Sequence, residues 1–196
     1  MAIDTKLITQ LRARTGAGIA DCKGALEGAN GDIEKAVELL RKTGAIKAAK
    51  KASTRESSEG LVSSYIHSNG KIGVLIEVNC ETDFVALNDD FKEMVKDLAM
   101  HIAAANPSYL KPEDVPAEEL AKEKDIYKEQ LKTEGKPEDM LEKILEGKIS
   151  KYYQEVCLLK QTYVKDDKLS VEQVIEQAVL KLGEKIEISR FTRYAI

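Results

Sequence analysis

Through the first 44 residues the apolar positions recur every three or four residues in three short runs, which is the spacing of amphipathic helices. The first run carries Leu7, Ile8 and Leu11 on one face, with Asp4 placed to cap it and Thr15-Gly16-Ala17-Gly18 to break it. A second helix is predicted over 20–29, with Ala25 and Leu26 inside and Asn30-Gly31 supplying the left-handed residue that ends it. Asp32 caps a third, which buries Ile33, Ala36, Val37 and Leu40 and stops at Gly44, a residue suited to the position just past a helix. A bundle this small sits near the lower limit for independent stability, so part of its apolar surface is expected to meet a partner.

After Gly44 the pattern lapses into Ala, Lys and Ser, with Lys47, Lys50, Lys51 and Arg55 and no sustained apolar stripe. That composition predicts a solvated linker, helical at most at its start. The competing reading, a basic arm for RNA, lacks the interleaved aromatics such arms use. Period two then takes over. The runs 61–67 and 72–78 flank Ser68-Asn69-Gly70, a hairpin signal, and Ile72, Val74, Ile76 and Val78 share one face that must be covered.

Asn88 opens a helix with Phe91, Val95, Leu98 and Ile102 on one stripe, stopped by Asn106-Pro107. Two longer helical stretches, 117–134 and 138–160, are joined by Gly135-Lys136-Pro137 as a tight turn and can project as a helical hairpin. Ser170 to Gln173 reads as a capping box for a helix reaching Leu182, with Gly183 as its stop. A last period-two run sets Ile186, Ile188, Arg190, Thr192 and Tyr194 against Glu187, Ser189, Phe191 and Arg193, a third strand able to join the hairpin. The expected class is α+β: a helical bundle over 1–45, a basic linker over 46–59, and a core over 60–196 of three-stranded antiparallel sheet with helices.

Composition narrows the function. With 43% hydrophobic and 33% charged residues and no apolar tract of membrane-spanning length, a globular protein off the membrane is expected. The net charge of -4 repels phosphate, which favours a protein partner over direct contact with nucleic acid. Cys22, Cys80 and Cys157 are odd in number, far apart and form no CxxC pair, as suits reduced thiols. The start, Met-Ala-Ile-Asp-Thr-Lys, shows no secretory signal, so a cytoplasmic location is expected.

Catalytic readings find little footing. Cys80-Glu81 with His67 or His101 is the one nucleophile and base set available, and it lacks an evident orienting group or oxyanion donor. No GxxxxGK[ST] sequence is present, and Asp89-Asp90 opens a helix, where acids favour the dipole, rather than a metal site. No enzymatic activity, cofactor or metal is expected. What stands out is Thr82-Asp83-Phe84-Val85, an acid and a large aromatic between a strand and a helix; on spacing alone, a place for Phe84 in the core beneath the strand is the favoured reading.

Two segments carry a family resemblance. Leu11-Arg12-Ala13-Arg14-Thr15-Gly16-Ala17-Gly18-Ile19-Ala20-Asp21-Cys22-Lys23-Gly24-Ala25-Leu26 resembles the N-terminal signature of elongation factor Ts, and Glu77-Val78-Asn79-Cys80-Glu81-Thr82-Asp83-Phe84-Val85-Ala86 resembles the family's second hallmark. The likeness extends through the chain, with Leu87 departing from the basic or polar residue usual there. It implies a ubiquitin-associated-like bundle and a guanine nucleotide exchange factor for elongation factor Tu, met GDP-bound and nucleotide-free, in protein biosynthesis. By the same resemblance, Phe84 enters a slot in the GTPase and disturbs its magnesium and phosphate sites, with Thr82, Asp83 and Val85 beside it. Arg12, Ile19 and Lys23 match the positions through which the family's bundle grips the GTPase. His67 matches a hairpin histidine near the partner, and a histidine simply exposed to water fits equally well. The chain length resembles the short form that works as a homodimer; its last strand, 185–196, holds no cysteine, so such a dimer is non-covalent. The alternative is an interaction module of ubiquitin-associated type joined to a dimerising α+β domain, without exchange activity.

Overall fold

The computed structural model describes residues 3–133 and 138–196. The chain is α+β, and it divides into two compact units, Met1–Met100 with Glu172–Ile196, and His101–Val171.

In the first unit, helices α1 (Thr5–Thr15) and α2 (Ile19–Gly28) begin and end close to the sequence signals. Asp4 Oδ1 accepts the Lys6 N–H at 2.9 Å, and Gly16, at φ 69°, closes α1 in the left-handed region that a Cβ disfavours. Asn30 and Gly31, at φ 51° and 83°, turn the chain into α3 (Ile33–Thr54), where Asp32 Oδ1 accepts the Lys35 N–H at 3.1 Å. Leu11, Cys22, Leu26, Ala36 and Leu40 form the core of the three helices, with Leu180 of α8 (Val171–Leu182) packed against it.

Helix α3 does not stop at Gly44. That glycine is buried, lies outside the left-handed region, and a Cβ built on it would sit 3.7 Å from Leu180 Cδ2. Its smallness serves the close approach of α3 and α8, not a helix end. The expected solvated linker is therefore corrected: it is helical through Thr54, and three of its four basic residues are engaged. Four residues apart on one face, Lys47 pairs with Asp21 Oδ1 at 2.5 Å, Lys51 donates to the Gly183 carbonyl at 2.5 Å, and Arg55 Nη1 reaches Glu81 at 2.9 Å.

The sheet follows in the order β1-β2-β5, all antiparallel, from β1 (Glu59–Ile66), β2 (Ile72–Cys80) and β5 (Ile186–Ala195). Gly70, at φ 67°, and Asn69 Oδ1, accepting the Lys71 N–H at 2.9 Å, close the hairpin. Val74, Ile76, Val78 and Cys80 form the buried face, as their period predicts. In β5 a bulge interrupts the period: Glu77 pairs with Arg190 but Val78 with Ile188, leaving Ser189 as the extra residue. Phe191 is thereby moved to the face of Ile186 and Ile188, opposite Ile76, rather than the face strict alternation gives it. A one-turn helix α4 (Asp83–Ala86) and α5 (Asp89–Ala105) come after β2; Asn88 Oδ1 caps α5 through the Asp90 N–H at 2.8 Å, and Phe91, Val95, Leu98 and Ile102 are buried.

In the second unit, α6 (Ala117–Thr133) and α7 (Glu138–Val156) pack against each other, while the Gly135-Lys136-Pro137 turn lies outside the described residues. Glu119 accepts from the hydroxyls of Tyr109 and Tyr152, both at 2.5 Å. Helix α7 ends before Lys160, because the Val156 carbonyl accepts the N–H groups of Ser108 and Tyr109 at 2.9 and 3.0 Å, and the chain turns into a short parallel pairing of Tyr109 with Cys157. A small antiparallel pair absent from the sequence reading, β3 (Thr162–Tyr163) and β4 (Asp166–Ser170), precedes α8. His101, fully buried, meets Gln161 Oε1 through Nε2 at 3.0 Å and accepts the Val164 N–H through Nδ1 at 3.3 Å. With Nδ1 accepting, the proton sits on Nε2.

Candidate functional site

Thr82-Asp83-Phe84-Val85 lies where β2 hands over to α4. Thr82 is the helix cap, its hydroxyl accepting the Val85 N–H at a long 3.4 Å. Val85 and Ala86 turn inward and are buried, while Phe84 points outward at 81% exposure. The core placement that spacing allowed for Phe84 does not occur. Leu87, 67% exposed, stands three residues further on and adds a second apolar side chain beside it.

A helix of four residues cannot hold itself, since nucleation costs more than one turn returns. Here two carboxylates from neighbouring segments grip its start. Glu184 Oε2 accepts the backbone N–H groups of Glu81 and Thr82, each at 3.1 Å, and its Oε1 accepts the Thr82 hydroxyl at 2.7 Å. In return Glu81 Oε1 accepts the Lys185 N–H at 2.5 Å, and Arg55 Nη1 lies 2.9 Å from both Glu81 oxygens. Burial works against the Glu81 charge, but the Lys185 N–H and the Arg55 guanidinium outweigh it and hold its pKa below the usual carboxylate range. Sequence reasoning missed Glu184, which is about a hundred positions from the motif; the one available signal was its place in a connection beside Gly183.

The remaining candidates are apart from this motif in sequence and all on the outside. Arg12 is exposed on α1; Ile19 and Lys23 are exposed one turn apart on α2, with Lys23 3.9 Å from Glu27. His67, in the β1-β2 hairpin, is exposed with Nδ1 3.2 Å from the Tyr65 hydroxyl.

The cysteine set does not assemble for catalysis. Cys80 is fully buried, its thiol 3.1 Å from the Thr82 carbonyl, and burial with the nearby Glu184 carboxylate raises its pKa away from thiolate. Cys157 is likewise pushed up to about 11 by burial. Among the described residues no group of three or more His, Cys, Asp or Glu could hold a metal, and no helix is long and apolar enough to cross a membrane.

Comparison with known proteins adds a consistent set of likenesses. A family model described as Elongation factor TS matches residues 27–196. The chain is 56% identical over 196 residues to the elongation factor Ts of Fervidobacterium nodosum, covering 100% of this chain and 99% of the other. It is 56% identical to that of Thermotoga petrophila, covering 100% and 97%, and 52% identical to that of Geobacter sulfurreducens, covering 100% and 90%.

Proposed function

We propose, for a chain that belongs to the elongation factor Ts family, that it acts as a guanine nucleotide exchange factor for elongation factor Tu. The observation that carries this reading is Phe84, a large aromatic held 81% exposed at the end of a buried strand by a helix whose next two residues are buried. An aromatic kept in water has no stabilising use inside its own chain; its apolar surface is of use to a partner.

An exchange factor must bind the empty GTPase better than the filled one, and by linkage it then weakens nucleotide binding by the same factor. In this reading Phe84 enters an apolar slot in the GTPase, Asp83 makes polar contacts at its rim, and the displaced elements lose their hold on magnesium and phosphate. Thr82 and Val85 fix the turn that presents the ring, one as cap and one as buried anchor. Leu87, exposed, widens the apolar contact.

Arg12, Ile19 and Lys23, all exposed, form the second grip, on a bundle of ubiquitin-associated type. His67 is a minor contact at the hairpin end. Burying Phe84 supplies about 1.5 to 3 kcal/mol, enough for one side chain to carry a useful share of the coupling. The chain works as a non-covalent homodimer in the cytoplasm, without nucleic acid or membrane as partner. Release of labelled GDP from elongation factor Tu, followed with and without this protein, tests the reading; release that stays at the spontaneous rate would sink it.

A further inference from the structure

We propose that Glu184 is a positioning residue for exchange, the residue that aims Phe84 before the partner arrives; this rests on Phe84 being the group that enters the GTPase. Helix α4 lacks the means to set its own direction. It is a single turn, and its cap hydroxyl is a distant 3.4 Å from the Val85 N–H it should satisfy. Phe84, exposed as it is, gains no direction from its own packing.

The direction comes instead from the connection between α8 and β5. One carboxylate, Glu184, takes up three donors at once: the N–H groups of Glu81 and Thr82 at 3.1 Å each and the Thr82 hydroxyl at 2.7 Å. These are the residues immediately before the helix, so the contact fixes the line along which α4 leaves the sheet. Glu81 closes the clasp from the other side through the Lys185 N–H at 2.5 Å, and Arg55 braces Glu81 at 2.9 Å. Charge-assisted bonds to backbone N–H groups are among the stronger ones, and two facing carboxylates are tolerable here because each is occupied by donors of the opposite segment. A side chain held in its bound direction forfeits less freedom on docking, and that saving appears as faster exchange at a given concentration.

The test uses the full-length protein with Glu184→Ala, Glu184→Gln, Phe84→Ala and the Phe84→Ala/Glu184→Ala double variant, read by GDP release from elongation factor Tu and by amide hydrogen exchange of the free protein. Glu184→Ala is expected to lose at least tenfold protection at the Thr82 amide and to exchange nucleotide about tenfold more slowly at subsaturating protein. The loss should lie in the concentration needed for half-maximal exchange more than in the maximal rate. Glu184→Gln keeps a carbonyl oxygen for both amides and should stay within about threefold of the parent on both readouts, which separates aiming from charge. In the Phe84→Ala background, removing Glu184 should slow exchange by less than about twofold further. Unchanged protection in Glu184→Ala, or two losses that simply multiply in the double variant, overturns the proposal. Parental exchange by Phe84→Ala alone overturns the underlying reading instead, and it is recognisable because that variant leaves the Thr82 amide protected.

Discussion

Phe84 and Ile76 lie eight positions apart and show how differently one chain uses two large apolar side chains. Ile76, 1% exposed, works inside the sheet; its truncation to Ala should cost about 2 to 5 kcal/mol of stability. Phe84→Ala should leave the thermal midpoint nearly unchanged and slow GDP release from elongation factor Tu roughly thirtyfold, the equivalent of about 2 kcal/mol lost from one central anchor. Asp83→Ala should slow it less, because a polar contact at a rim contributes less than a desolvated aromatic. Unfolding and release measured on the same samples decide it: an early melt with parental exchange would assign Phe84 to the core. A second residue-scale expectation concerns His101, buried and held neutral because burial lowers its pKa more than the Gln161 hydrogen bond raises it. The unfolded chain therefore binds that proton more readily than the folded one, so the stability is complete above the ordinary histidine value of about 6.5 and declines as pH falls through that value toward the folded pKa. Thermal midpoints between about pH 7.5 and 5.5 should fall for the parent and run flatter for His101→Gln. The buried state of His101 and the exposure of Phe84 were both beyond the sequence, since each depends on which way a side chain turns at a fixed position.

At the scale of elements, caps and turns were legible and tertiary contacts were not. Asp4, Asp32, Gly16, Asn30-Gly31 and Asn69-Gly70 act through neighbours two to five residues away, so the local sequence contains both partners of each interaction. Gly44 does not, because its reason for being small is Leu180, far along the chain. The same rule explains the shortened α7, ended by pairing with Tyr109, and the bulge at Ser189, which only the register with β2 reveals. Two glycines make the difference measurable. At Gly44 the φ is ordinary and an added Cβ would meet Leu180 Cδ2 at 3.7 Å, a normal contact. Gly44→Ala should therefore raise stability by about 0.5 to 1 kcal/mol through helix propensity and a stiffer unfolded chain. Gly60 sits at φ 155°, and a Cβ there would be 2.3 Å from the Val78 carbonyl oxygen. Gly60→Ala should cost about 2 kcal/mol or more, since backbone of β1 or β2 has to move. Thermal or denaturant unfolding of the two variants should shift in opposite directions, and a loss at Gly44 would show that α3 and α8 approach more closely than the contact allows.

Over the whole molecule, the composition shift after Gly44 suggested a tether, yet the helical bundle and the sheet fall in one compact unit, because Leu180 packs in the bundle core and Lys51 and Arg55 reach Gly183 and Glu81. A lysine-rich stretch looks solvated until its acceptors are known, and these come from distant positions. The outer face of the sheet carries exposed apolar side chains. Val62, Ile66, Leu75 and Tyr194 are 64%, 66%, 51% and 72% exposed there, with Ile66 and Tyr194 on either side of Gly73 in the register. Ile66 lies over Gly73, its Cδ1 3.1 Å from where a Cβ would stand, and these side chains together give a second sheet an apolar surface to stack on. We expect the free protein to sediment as a dimer at micromolar concentration under reducing conditions, held without a disulfide because Cys22, Cys80 and Cys157 are all buried and lie outside β5. Leu75→Arg places a charge in the middle of that face and should weaken the dimer thirtyfold or more, with the far-ultraviolet circular dichroism retained because Leu75 is outside the core. The variant should also melt earlier at low protein concentration, since dissociation removes the stabilisation that mass action lends a dimer. A parental protein that sediments as a monomer at every concentration would mean that this face meets something other than its own copy.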